Sequence, residues 1–264
     1  MASSLVLVTG ASSGIGAATA RRFGASGARV LLLARNKERL GDVIKAICKE
    51  GGTATPYPVD LADADAIAEL SARIEREAGT PDVLINNAGA GRWLPVTETT
   101  AEEALAMMAV PYFAAFNVTR AFLPKMITRR SGAIACVTSP ASYLVWPKAG
   151  AYTAARHALL GLTESLRADL KGSGISVTLV VLGMVESSYW EHNPGSRKRV
   201  PAMNPMIARP LTPDQAAEAI FSGVEGGKRV VVKPAIFRAL FLLNAIAPRL
   251  VASQLRRAVP KSSA

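Results

Sequence analysis

The opening turn constrains this chain more than any other feature. A short apolar run from Leu5 to Thr9 breaks into Thr9-Gly10-Ala11-Ser12-Ser13-Gly14-Ile15-Gly16, and helical spacing follows from Gly14 to about Ala25. Taken alone, such a loop is only a tight structural turn. A glycine-rich turn that leaves a buried strand and opens a helix is the setting in which it holds a dinucleotide. Gly10 permits the turn, Gly14 lets the backbone approach a pyrophosphate, and Gly16 lets helix and sheet pack closely. The helix N-terminus presents free N–H groups and the positive end of a dipole, to which Ser12 and Ser13 add donors beside Ile15.

The rest of the chain keeps the same alternation. Apolar runs at Arg29–Ala34, Thr53–Val59, Pro81–Asn86, Ala133–Thr138, Ile175–Leu182 and Val230–Val232 read as buried strands. Between them, Lys37–Glu50 and Asp63–Ala78 carry helical spacing, and longer helical patterns follow. Continuous apolar strands joined by helices imply an α/β fold: a single Rossmann-type doubly wound parallel sheet with helices on both faces. Its ligand site is expected at the carboxyl ends of the strands. A length of 264 residues suits one large domain. We place a dinucleotide-binding and catalytic domain at 1–233 and a basic, apolar helical extension at 234–264. The irregular stretch Glu186–Pro210, with Trp190, His192 and Arg197-Lys198-Arg199, is expected to be a lid.

Four strings together resemble the short-chain dehydrogenase/reductase (SDR) family. The first is the opening turn, whose TGxxxGxG spacing matches that family rather than other Rossmann enzymes. The second, Asn86-Asn87-Ala88-Gly89, closes the fourth strand as the family's NNAG does. The third is Tyr152-Thr153-Ala154-Ala155-Arg156, at the place of the family's YxxxK. The fourth is Ser139, thirteen residues before Tyr152, where the family keeps its catalytic serine. The resemblance runs from about Leu5 to Val232. It implies an oxidoreductase in which Tyr152 exchanges a proton with the substrate oxygen, Ser139 polarises that oxygen, and a nicotinamide exchanges hydride with the carbon. Phenols titrate near ~10 in water, so such a tyrosine needs a nearby cation to favour its phenolate. The resemblance assigns Asn87, Ala88 and Gly89, with Tyr152 and Arg156, to the cofactor as well.

The chain departs from the pattern at two catalytic positions. Position 156 is Arg rather than Lys, cationic still but larger, planar and unable to release a proton. Aligning Val110–Pro124 on the family's run puts Pro111 where its catalytic asparagine sits, and Asn117 lies too far along to replace it. Proline has no amide to hold a relay water and removes a helix hydrogen bond, although the family asparagine itself sits at a helix distortion. After the sixth strand, Leu182-Gly183-Met184-Val185-Glu186-Ser187 replaces the family's Pro with Leu and its Thr with Ser. Val185 and Ser187 are then left to meet the carboxamide and the pyrophosphate.

Cofactor choice is read after the second strand. An acid there would bond the ribose hydroxyls of NAD, but the chain has Ala34-Arg35-Asn36-Lys37. Arg35 can pair with a 2′-phosphate, which points to NADP(H); the alternative is that Arg35 and Lys37 are solvated charges at a helix start. Asp60-Leu61 matches the family's adenine-contacting pair, and Asp60 reads equally as an N-cap. Several other residues have ordinary readings. His157 packs or caps locally, His192 is exposed in the lid, Met107 and Met108 are core or helix-interface residues, and Cys136 is an inert thiol in a buried strand.

Composition limits what remains. Two distant cysteines without a CxxC exclude a disulfide scaffold and a cysteine metal site, and suit a reducing, cytoplasmic setting. The N-terminus lacks the basic start of a signal peptide. The net charge of +11 is concentrated at the end: eight basic residues and no acid follow Gly227, so the preceding chain is nearly balanced. Within that tail Ala235–Ala247 is almost wholly apolar until Pro248. It is too short to span a bilayer. One reading is an interfacial segment on an anionic membrane surface, peripheral to the cytoplasm; the other is a C-terminal helix covering the sheet or a subunit contact. Nucleic acid is not expected, because no binding motif or interleaved aromatics accompany the charge. Phe113, Phe116, Phe122, Leu159, Leu162 and Leu166 exceed what one sheet face needs and point to a homodimer or homotetramer. Three functions stay open: an NADP(H)-dependent oxidoreductase on a lipophilic alcohol or carbonyl, an NADP-binding enzyme of a non-redox acid/base step, or a catalytically weak nucleotide-binding protein.

Overall fold

Successive residues of each strand point to opposite faces, and in this chain both faces are apolar. Leu5, Leu7, Leu31, Leu33, Leu84, Ile134, Leu179 and Val181 enter one core, while Val6, Val8, Val30, Leu32, Ile85, Val137, Val180 and Leu182 enter the other. A sheet buried on both sides needs helices on both sides. The computed structural model, which describes residues 3–201 and 209–258, shows this arrangement.

The strands are β1 (Leu5–Thr9), β2 (Arg29–Ala34), β3 (Thr53–Pro58), β4 (Val83–Asn86), β5 (Gly132–Thr138), β6 (Ile175–Leu182) and β7 (Val230–Lys233). They form one sheet of order β3-β2-β1-β4-β5-β6-β7 with every pair parallel. The order reverses between β1 and β4, which opens a crevice at their carboxyl ends. Helices α1 (Gly14–Ala25) and α2 (Lys37–Lys49) cover one face through Phe23, Leu40 and Ile47. On the other face lie α3 (Ala64–Glu77), α4 (Ala101–Met108), α5 (Ala114–Arg129) and α6 (Gly150–Asp169), through Ile67, Ile74, Met107, Val118, Phe122 and Leu159. The short helices α7 (Tyr189–His192) and α8 (Ser196–Arg199) follow β6. Helix α9 (Pro213–Glu225) then joins the α1 face, and α10 (Ile236–Ile246) and α11 (Pro248–Ala258) follow β7.

Several local expectations change. Val59 and Pro81 fall outside their strands; Pro81 has no N–H to give a ladder. The N-cap of α3 is Asp63, whose carboxylate accepts from Asp65 N and Ala66 N, whereas Asp60 accepts from Ala62 N at 2.9 Å in the turn before it. The stretch 186–210 is not wholly irregular, since it holds α7 and α8 and its two flanking residues, Val185 and Leu211, pair in a parallel bridge; residues 202–208 lie outside the described residues. Pro248 does more than interrupt the tail. It starts α11, where a missing N–H costs nothing. Lys261 lies outside the described residues.

Pro111 falls inside a π-helical turn, Ala109–Phe113, that joins α4 to α5. Such a turn already breaks the regular hydrogen-bond ladder, so it accommodates a residue without an N–H. Of the six apolar residues proposed for subunit contacts, Phe122, Leu159 and Leu166 are buried in the core, Leu162 is half-buried, and Phe113 and Phe116 are exposed.

Candidate active site

Because all seven strands are parallel, whatever follows each strand emerges on one edge. Gly10 follows β1, Arg35 follows β2, Asn87 follows β4, Ser139 follows β5, Gly183 follows β6 and Pro234 follows β7. Four of these, Asn87, Ser139, Gly183 and Pro234, line a cleft of about 360 Å³. Tyr152, Arg156, Gly89, Ile15, Val185 and Ser187 line it too, so the three catalytic candidates lie together there, while Gly10, Ser12, Ser13, Gly14, Gly16, Arg35, Asp60, Leu61 and Ala88 do not line it. Its remaining walls are largely aromatic and apolar: Trp93, Trp146, Met184, Trp190 and Phe237.

At the floor, the Tyr152 hydroxyl donates to Ser139 Oγ at 3.2 Å. Ser139 is oriented in turn by its place at the start of a 3-10 turn, Pro140–Ser142, where Oγ accepts from Ala141 N at 3.2 Å. Arg156, one turn along α6, is buried and lays its guanidinium 4.8 Å from the centre of the Tyr152 ring. Its Nη2 makes a long bond to Ala90 O at 3.5 Å, and its Nε is buried without a partner among the described residues. A Cβ at residue 89 would stand 3.1 Å from Nη2, so Gly89 leaves the space that the larger cation occupies. The Trp93 ring, 5.6 Å from Tyr152 and 5.9 Å from Trp146, closes the other side.

The dinucleotide side is braced by groups that the motif alone did not reveal. Thr9 Oγ1 donates to Ile85 O and accepts from the N–H groups of Asn87 and Ala88, each at 3.0 Å. Asn87 Nδ2 donates to Thr9 O, which locks the ends of β1 and β4 together. Gly10 has φ +66°, and a Cβ at Gly16 would meet Gly10 O at 2.1 Å. The side chain of Ser13 does not cap α1, which leaves first-turn N–H groups for a ligand. These features fit a dinucleotide phosphate. Ser12 and Gly14 lie on a shallow depression with Arg39 beyond the cleft. Arg35 and Asp60 are exposed, while Leu61 is buried at the end of the β3 segment.

Four contributors were missed in the sequence. Tyr189 in α7 donates its hydroxyl to Gly91 O at 2.5 Å and faces Tyr152 and Arg156; burial first, and then Tyr152, push that phenol well above its usual range. Asn193 Oδ1 accepts from Gly91 N at 3.1 Å, and Ser196 Oγ accepts from Trp93 N at 3.1 Å, so the segment after β6 is tied across the cleft. Phe237 comes from the tail: Lys233 ends β7 on the same edge, and Gly183 leaves room for the Phe237 and Pro234 rings. Nothing in the sequence marked Tyr189, Asn193 or Ser196, whose bonds reach Gly91 and Trp93 about a hundred residues earlier. The others behave as expected: the His157 ring bonds Thr153 O, Met107 and Cys136 are buried, and burial raises the Cys136 thiol. The His192 side chain lies outside the described residues.

Comparison with known proteins places this geometry. A family profile described as short chain dehydrogenase matches residues 4–196. The chain is 32% identical over 264 residues to the probable oxidoreductase EphD of Mycobacterium tuberculosis, covering 96% of this chain but 44% of that protein. It thus spans less than half the length of this curated relative. It is 32% identical to dehydrogenase/reductase SDR family member 7B of Rattus norvegicus, over 93% of this chain and 78% of the relative. A solved metagenomic short-chain oxidoreductase in complex with NADP superposes with a TM-score of 0.71 at 34% identity, covering 84% of this chain and 90% of that one. With Ser139, Tyr152 and the opening glycine turn converging on one sheet edge, the chain belongs to the short-chain dehydrogenase/reductase family.

Proposed function

We propose that the protein is an NADP(H)-dependent oxidoreductase that interconverts a lipophilic alcohol and its carbonyl. The observation that carries this reading is the Tyr152–Ser139 hydrogen bond at the floor of an apolar cleft, with the Arg156 cation on the tyrosine ring. NADP(H), when bound, supplies or accepts the hydride. Tyr152 gives its proton to the substrate oxygen during reduction and takes it back during oxidation. Ser139 donates a second hydrogen bond to that oxygen, which polarises the carbonyl. Arg156 supplies the positive charge that stabilises the Tyr152 phenolate. The aromatic walls exclude water and favour an apolar substrate.

Gly10, Ser12, Ser13, Gly14, Ile15 and Gly16 hold the pyrophosphate in this reading. Asp60, Leu61, Asn87, Ala88 and Gly89 border the adenosine and nicotinamide halves, and Val185 and Ser187 meet the carboxamide and the pyrophosphate. Arg35, exposed after β2 with no acid directly beside it, favours the 2′-phosphate of NADP(H) over NAD. NADP in the metagenomic relative supports this choice. Phe113 and Phe116, exposed on the π turn and α5, support assembly into a homodimer or homotetramer.

One observation favours a second reading. Pro111 is buried where the family's relay asparagine stands, so its proton-relay amide is missing. A non-redox acid/base step, such as isomerisation or elimination, uses Tyr152 without that relay. Purified protein mixed with NADPH and a panel of lipophilic ketones and aldehydes, followed by absorbance of the reduced cofactor, separates the two. NADPH consumption that falls at least ~100-fold in Tyr152→Phe is the expected result. A Tyr152→Phe variant with parental rates overturns both readings at this residue.

A further inference from the structure

We propose that α10 and α11 form a docking surface for an anionic lipid membrane, with α10 as the wall shared between that membrane and the cleft. Helix α10 has two apolar faces. Its inner face is packed: Phe237 is buried in the cleft wall, Phe241 stacks on Tyr143 at 4.5 Å, and Asn244 Nδ2 donates to Tyr143 O at 3.1 Å. Its outer face is equally apolar and bare. Leu242 and Ile246 are 64% and 75% exposed, and Ile236, Leu243 and, at the start of α11, Leu250 are exposed beside them. A helix that covers a soluble core turns polar residues outward. On the outer face of α10 only Arg238 does so.

Charge decides what covers this face. Lys233, Arg238, Arg249, Arg256 and Arg257 are exposed around it, and no Asp or Glu follows Gly227. A second copy docking by the same face would set these cations against one another with no acid to offset them. Anionic headgroups offset them directly, while the leucines and isoleucines enter the acyl boundary. At 11 residues α10 is about 17 Å long, short of a ~30 Å bilayer core, so it lies in the interface rather than crossing it. Burial of Val251 and Leu255 of α11 in the main core fixes the surface to the body of the enzyme. The longer apolar run Ala101–Arg129 does not compete, because Val118, Phe122 and Met126 on it are buried in the core.

The docking stands on these helices alone. What rests on the proposed oxidoreductase reading is its consequence, that a lipophilic substrate enters past Phe237 from the membrane. Flotation of the full chain with vesicles of phosphatidylcholine, alone or mixed with phosphatidylglycerol, tests the docking. The chain should float with the anionic vesicles and be released by salt. Leu242→Glu with Ile246→Glu should lower that partition at least about tenfold. Arg249→Glu with Arg256→Glu and Arg257→Glu should abolish the preference for anionic vesicles. Neither set touches the catalytic residues, so NADPH affinity and turnover of a water-soluble carbonyl should persist in both. A parent that floats with neither vesicle overturns the proposal, as does one that forms a dimer dissolved by the Leu242/Ile246 pair. If the chain floats but consumes no NADPH, the docking survives and the redox reading falls.

Discussion

Replacing Arg156 with methionine separates what the guanidinium does for the fold from what it does for the reaction. The folded state loses a buried cation–ring contact at 4.8 Å, a contact of this kind being worth about 2 kcal/mol. It also loses the long bond to Ala90 O. Against this, the substitution removes a buried N–H that has no partner, which relieves a penalty of about 1–3 kcal/mol. The two effects nearly cancel, and a flexible thioether fills much of the same space. The apoprotein should therefore melt within about 4 °C of the parent. Catalysis has no such compensation. With the cation that lies over the Tyr152 ring removed, turnover should fall at least ~100-fold. Arg156→Lys returns the residue at this position to the family pattern and should stay active. Thermal melts of the apoprotein, paired with NADPH-linked turnover, read both effects. A methionine variant that unfolds several degrees early makes the guanidinium structural. One that turns over at parental rates removes it from the mechanism.

Other consequences are checked more simply. Arg35→Asp should weaken NADPH at least about tenfold, from loss of a charge-assisted bond, and spare NADH; fluorescence titration of both cofactors reads it, and equal parental affinities would remove Arg35 from that role. Phe113→Glu with Phe116→Glu should convert an oligomer to a monomer by light scattering at micromolar concentration, and a parent that is already a monomer would remove both rings from an interface. In native protein, iodoacetamide should modify the exposed Cys48 and spare Cys136, whose thiol is buried and titrates above its usual range; labelling of both before unfolding would contradict that burial.

The parts of this fold legible in the sequence are those written into short contiguous runs. The β1 turn announces itself because a strand, three glycines and a helix follow one another within a few residues. Tyr152 and Arg156 share a helix face by spacing alone. Tyr189, Asn193 and Ser196 had no such signal, since their helices are one turn long and held by bonds to Gly91 and Trp93, about a hundred residues earlier. Phe237 was hidden for a different reason. Its apolar helix was evident, but its entry into the cleft depends on β7 ending on the same edge as β1. Asp60 and Asp63 compete for one cap within four residues, and only the chain's path into α3 separates them.

The catalytic departures also have a common physical form. At Pro111 the π turn absorbs a residue that would cost a regular helix interior about 3 kcal/mol. At Arg156 the missing Cβ of Gly89 gives the guanidinium its room, and Tyr189 brings a second phenol to the same cation. Under the proposed reading, both changes leave a positive charge beside Tyr152 and the Tyr152–Ser139 bond in place. The Tyr189 hydroxyl donates to Gly91 O, so it ties the segment after β6 across the cleft beside Tyr152.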